Sequence, residues 1–295
     1  MTGLSNGTVP AGGEARARRD ARPTPDHDSN VSAQGKDPRT LSGGRRRLVS
    51  RFGEESWVDV RQAPELGDAP ALGEDEHRHV DESGHVESAS NLGVLLADRG
   101  DLGGAEEAFR QADASGDATS ASNLGVLLAE RGDMIGAEQA FQRADQRGHA
   151  GAAFNLGVLL AERGEMAAAE EAFRRADERG HSAAPFNLGV LHAERGDLSG
   201  AEAAYRRADE RGDAAGASNL GVLLAERGDT VGAEAAYRRA DGRGHVTASF
   251  NLGVLLAEQG DIAGAEAAFR RARQGAQPEV ADRAAAALAE LGSGA

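Results

Sequence analysis

The tripeptide Asn-Leu-Gly starts at Asn91, Asn123, Asn155, Asn187, Asn219 and Asn251, each site 32 residues beyond the last. No other feature restricts the fold as tightly. A fixed period of this length means one supersecondary unit made repeatedly, each copy burying on the next an apolar face it cannot bury alone.

The unit from Ala152 to His181 reads AAFNLGVLLAERGEMAAAEEAFRRADERGH. Ala153, Leu156, Gly157 and Leu160 share one side of a 3.6-residue helix, and Phe154, Val158, Ala161 and Glu162 share another. The first side is small and aliphatic and is expected to pack. Glycine is costly inside a helix. Its recurrence at Gly93, Gly125, Gly157, Gly189, Gly221 and Gly253 therefore predicts a close approach by a neighbour. Gly164 ends this helix with a positive φ, and the acidic residue after it favours the start of the next. The second helix runs from about Ala167 to Arg179, with Ala169, Ala172, Phe173 and Ala176 as its apolar stripe. Glu170–Arg174 and Glu171–Arg175 are helix-face ion pairs, each contributing ~0.2–0.5 kcal/mol. Helices this short are not stable alone in water, so the array folds by stacking.

In the fourth unit Asn187, Leu188, Gly189, Gly196, Asp197, Ala201, Tyr205 and Ala208 make a pattern that resembles the tetratricopeptide repeat. The junction RRADERGH followed by Asn-Leu-Gly resembles Sel1-like repeats instead, because His or Asp stands where the tetratricopeptide unit often has Pro. The resemblance covers about residues 86–275. It implies an all-α fold, a right-handed α-solenoid of stacked helix-turn-helix repeats. It also implies a protein–protein interaction scaffold that holds a peptide or protein segment along its concave face. A regulatory or sensing arm of a bacterial signalling system is an alternative reading.

Taken in order, residues 1–72 read as a disordered N-terminal tail and linker, too poor in periodic apolar residues to offset their ordering entropy. Within them 45–60 is a basic–apolar segment, with Arg45, Arg46, Arg47, Leu48, Val49, Arg51 and Phe52 at its head. Residues 73–85 read as a degraded N-terminal cap helix. Six repeats occupy 86–275, and 276–295 form a C-terminal capping helix begun by Pro278. The net charge of −15 argues against nucleic acid as a partner. No apolar run reaches the ~18 residues of a membrane span. There is no cysteine, and arginine supplies every basic residue except Lys36, a bias expected of a GC-rich bacterial genome. With no apolar leader at the N-terminus, the chain reads as cytoplasmic.

Residues with catalytic chemistry do not converge. Asp75, Glu76, His77, His79, Asp81 and His85 are the densest ligand-type cluster but lack a closed metal-ligand spacing, so no metal and no cofactor is expected. The Arg-Gly-Asp runs, as at Arg131–Asp133, read as turn chemistry. His192, where other repeats have Leu, reads as a satisfied core histidine or a pH-sensitive weak point. His149, His181 and His245 read as caps. A hydrolase of the kind ascribed to some Sel1-like proteins would need one irregular repeat with clustered Ser, His, Lys or Glu, so the chain reads as no enzyme.

By the resemblance, the open side of the first helices is the binding groove. Its candidate residues are Asn123, Asn155, Asn187, Asn219 and Asn251 as an amide ladder, with Val158, Val190 and Val222. Glu162 and Glu194 lie at one edge, and Phe154, Phe186 and Phe250 stand where other repeats have Ser. A purely structural amide ladder is the competing reading. An acidic, partly apolar groove favours a basic, partly apolar partner. Residues 45–52 have that composition and are expected to dock in the chain's own groove or in that of a sister chain. The oligomeric state is left open.

Overall fold

The computed structural model describes residues 86–293. They form thirteen helices and, among the described residues, no strand. In chain order these are α1 Val86–Asp98, α2 Leu102–Ala114, α3 Ala118–Glu130, α4 Met134–Gln146, α5 Ala150–Glu162, α6 Met166–Glu178 and α7 Ala184–Glu194. They continue with α8 Leu198–Glu210, α9 Ala214–Glu226, α10 Thr230–Gly242, α11 Val246–Glu258, α12 Ile262–Gln274 and α13 Pro278–Ser293. Odd-numbered helices up to α11 are first helices of a repeat and even-numbered ones are second helices. Each second helix packs on its own first helix and on the first helix of the next repeat. The expected cap at 73–85, its His-rich cluster and the tail lie outside the described residues.

The recurring glycine of Asn-Leu-Gly has a specific neighbour. A Cβ built on Gly157 would sit 2.6 Å from the Phe173 ring of the paired second helix, and Gly125 meets Phe141 in the same way. These rings, with Phe109, Tyr205, Tyr237 and Phe269, are fully buried. The close approach is thus made by an aromatic side chain rather than by a helix backbone. Between the two helices the chain turns through Gly164, at φ 81°. Its N–H donates to the Ala161 carbonyl and the Glu165 N–H to that of Leu160, which satisfies two end carbonyls of α5.

An Asp then caps the second helix, as where the Asp133 side chain accepts from the Gly136 N–H at 2.9 Å. Glycine is required at that third position. A Cβ on Gly104 would lie 2.6 Å from a carboxylate oxygen of Asp101. The third repeat changes both partners together, to Glu165 and Ala168, and there the side-chain cap is absent.

Two sets of ion pairs join consecutive repeats. The buried Asp113 of α2 accepts from Arg143 Nη2 at 2.6 Å and from Arg147 Nη1 at 2.5 Å, both on or just beyond α4. Asp145 takes Arg175 and Arg179, Asp177 takes Arg207 and Arg211, Asp209 takes Arg239 and Arg243, and Asp241 takes Arg271. Burial works to raise the Asp113 pKa, but the hydrogen bonds from Arg143 and Arg147 overturn it and hold the carboxyl below the ordinary range. Asp209 is held down by Arg239 and Arg243 against the same burial. The ladder stops with the array. Subtracting 32 from 143 and 147 gives Gln111 and Ser115, and adding 32 to 241 gives Arg273. The second set joins the inter-helix turns to the preceding repeat through Arg131–Glu106, Arg163–Glu138, Arg195–Glu170 and Arg227–Glu202.

The fourth repeat departs from the others. Pro185 has no N–H to close the first helical turn, and α7 starts only at Ala184. His181 therefore caps nothing, unlike His149 and His245, whose Nδ1 atoms accept from the Ala152 and Ala248 N–H groups. It stacks instead on Phe154, with ring centroids 4.2 Å apart. Burial pushes its pKa down to about 4. His192 is satisfied by the Asp197 carboxylate, 3.0 Å from Nδ1. The apolar core divides within this repeat: Leu188 and Leu191 belong to the N-terminal cluster, Phe186 and Val190 to the C-terminal one.

At the far end α13 covers the last repeat with Val280, Ala284 and Ala287. Arg283 of this helix lays its guanidinium over the Phe250 ring at 4.3 Å.

Candidate functional site: the turn edge of the array

The first helices do not present an open face. Every residue from Ala152 to Ala161 is buried, and so is every residue from Ser120 to Ala129. Asn155 is 1% exposed and Asn219 0%, while Asn123, Asn187 and Asn251 are also buried. Val158, Val190 and Val222 are buried, as are Phe154, Phe186 and Phe250. The expectation that these side chains face solvent is therefore corrected. An Ala- and Gly-rich unit lets helices approach closely, and each first helix from the second repeat on is packed between its own second helix and that of the preceding repeat.

The buried residues have internal tasks. Phe154 packs on Phe173 at 5.5 Å between centroids, Phe186 on Tyr205 at 6.0 Å and Phe250 on Phe269 at 5.4 Å. The Ser/Phe alternation thus tracks packing within a repeat. In the amide ladder Asn219 faces Tyr205, on the second helix of the preceding repeat. Burial pushes the Tyr205 phenol up to about 12, against the pull of Asn219 from the next repeat. Of the expected contact residues, Glu162 and Glu194 alone are exposed.

Glu162 and Glu194 belong to a row that runs along the inter-helix turns. Asp98, Glu130, Glu162, Glu194, Glu226 and Glu258 are the last residues of the six first helices, and all are exposed. Four residues on, the second helices begin with Leu102, Met134, Met166, Leu198, Thr230 and Ile262. Among the described residues the exposed large apolar side chains are Leu102, Met134, Ile135, Leu198, Val231 and Ile262. Each is the first or second residue of a second helix, and Ile135 and Val231 are 73% and 78% exposed. A core-facing role cannot account for them.

The charge at this edge is negative. Each turn carries the row carboxylate and a second Asp or Glu three residues on, and the first five also carry one arginine where the sixth has Gln259. From Arg131 to Arg227 the arginine is matched by a glutamate of the preceding repeat. The edge is therefore an apolar ridge lined by carboxylates, suited to a chain that brings both cations and apolar side chains. Sequence reading missed the ridge, although its signal is visible: an apolar residue directly after most Arg-Gly-Asp runs, outside the stripe of the second helix.

Shallow grooves also open between consecutive second helices. One of about 560 Å³ has Leu124 and Leu128 in its lining beside Asp113, Arg143 and Arg147. Its charged walls are already paired with each other. Among the described residues no group of three or more His, Asp or Glu is placed to hold a metal ion, and no helix is long and apolar enough to cross a membrane.

Comparison with known proteins agrees with the geometry. A family model described as tetratricopeptide repeat matches residues 90–149, 145–185, 186–244 and 220–281, which together span more than half of the chain. No curated protein matches. Among solved structures, the protective antigen c5321 of uropathogenic Escherichia coli, described as having an SLR fold, is 24% identical. The match covers 68% of this chain and 48% of that one, with a TM-score of 0.57, so the chain spans about half of its length. PilF of Pseudomonas aeruginosa is 18% identical over 69% of this chain and 93% of that one, with a TM-score of 0.52. The C-terminal part of a tetratricopeptide-repeat protein of Cytophaga hutchinsonii is 12% identical over 71% and 92%, with a TM-score of 0.51. At these identities the likeness is one of fold.

Proposed function

We propose that this chain, which belongs to the tetratricopeptide repeat family, is a cytoplasmic scaffold that holds a basic, partly apolar segment of another polypeptide. The observation that carries the reading is the exposed carboxylate row from Asp98 to Glu258, one per repeat, beside the exposed apolar residues of the same turns. Charge of one sign repeated along an edge steers and aligns a partner of the other sign.

Glu162 and Glu194 are the contacts retained from the expected site. The Asn and Val residues are buried in the array and the Phe residues pack inside their own repeats, so they act through the architecture. The reading is of binding rather than catalysis.

The test uses a synthetic peptide alternating arginine with leucine and valine, titrated into the full chain at 50 and 300 mM salt. Tight binding at low salt that weakens at least tenfold at high salt is expected. The E162Q/E194Q variant should weaken it severalfold. Equal affinity for an acidic peptide of the same length, or no effect of the variant, sinks the reading.

A further inference from the structure

The geometry points to an occupant of the turn edge carried by the chain itself: residues Arg45–Phe52 dock on the ridge formed by Leu102, Met134 and Ile135 and block it to other partners. The proposal rests on the reading above and adds its regulation.

Three observations converge. The first is charge. Arg45, Arg46, Arg47 and Arg51 put four cations into eight residues that contain no acid. The ridge residues sit among Asp98, Glu130 and Asp133. The first repeat, residues 86–117, is also the most acidic, with seven Asp and Glu against Arg99 and Arg110. The second is apolar content. Leu48, Val49 and Phe52 put apolar side chains beside the cations, the counterpart of apolar residues set among carboxylates. The most exposed apolar pair directly after an Arg-Gly-Asp turn, Met134 and Ile135, stands one repeat from Leu102.

The third observation is reach. Residues 53–85 stand between the segment and α1, and the 20 residues 53–72 alone, taken as a coil, would span roughly 25 Å on average. α1, at 13 residues, is about 20 Å long, and the first turn lies at its far end. A connection of that length allows the segment to reach the first two turns and raises its local concentration there. An outside partner of the same composition must compete with a tethered one.

The chain supplies its own reporters, because its three methionines are Met1, Met134 and Met166 and it has no cysteine. A nitroxide attached to the full chain at S50C, with ¹³C-methyl methionine, reads proximity directly. At least twofold broadening of the Met134 signal is expected, stronger than that of Met166. It should be abolished by R45E/R46E/R47E/R51E on the labelled chain and reduced by I135E. The peptide of the previous section should then bind the arginine-reversed chain at least fivefold more tightly than the unchanged chain.

An unbroadened Met134 signal overturns the inference, and so does broadening that survives arginine reversal. The peptide arm separates the two readings. If it binds at Met134 while the labelled segment does not, the scaffold stands and the self-docking falls. If it binds neither chain, both fall.

Discussion

The first and second helices of each repeat are held by different forces. In the first-helix layer, represented by α3 and α5, an unbroken run of residues is buried and the glycine of Asn-Leu-Gly seats an aromatic ring. The second-helix layer is half wet. Its inner stripe is buried, and its outer edge is tied to the next repeat by paired arginines on a buried aspartate. Close packing tolerates almost no change in volume, whereas a surface ion pair gives up little when broken. The layers should therefore fail in different ways.

The largest effect is expected in the packed layer. G157V places a branched side chain where Phe173 sits and should cost about 3 kcal/mol or more, read as a shift in urea midpoint. A cost within 1 kcal/mol would mean that the ring moves freely. In the charged layer D145A leaves Arg175 and Arg179 facing each other over a lost partner and should cost about 2–3 kcal/mol. Lowering pH attacks both layers in sequence. His149, His181 and His245 are held neutral by burial, with pKa values lower in the folded than in the unfolded chain. Below about pH 6.5 the unfolded chain takes up protons that the array refuses, so stability falls as pH drops toward about 4. Asp113 and Asp209, depressed for the opposite charge type, contribute stability that is lost only at still lower pH, below the ordinary aspartate range. The melting temperature should thus fall by several degrees between pH 7 and 4.5. Replacing the three histidines with Asn should flatten that first decline and leave the second.

A smaller effect concerns the cap that the third repeat lacks. E165D/A168G should restore it for a gain of about 0.5–1 kcal/mol, with E165D alone contributing less because the Ala168 Cβ crowds the carboxylate. The smallest is R174A, on an exposed pair, which should leave the urea midpoint unchanged within error. If R174A cost as much as D145A, the contrast between buried-aspartate clamps and exposed pairs would collapse.

Much of the fold was legible because the repeat reports itself six times. The helix pair, the glycine turns and the Asp caps each follow from local chemistry that a periodic sequence displays in register. The candidate site was less legible. Asn155, Val158 and Phe154 look like an exposed second face when one helix is drawn alone. They are buried because helices of neighbouring repeats supply the missing walls. His181 has the sequence position of a cap, yet Pro185 four residues later removes the N–H that would start the helix there. The ridge at Leu102, Met134 and Ile135 was hidden for the converse reason. Apolar residues are expected inside, and only the packed array shows that the other described residues leave these exposed.

The sequence by itself determined that this chain is a stack of paired short helices, because hydrophobic period, glycine placement and capping are local properties repeated at a fixed interval. Tertiary structure alone decided which surfaces of that stack remain open. Exposure depends on how closely neighbouring repeats approach, and that distance is set by the combined volumes of side chains far apart in the chain.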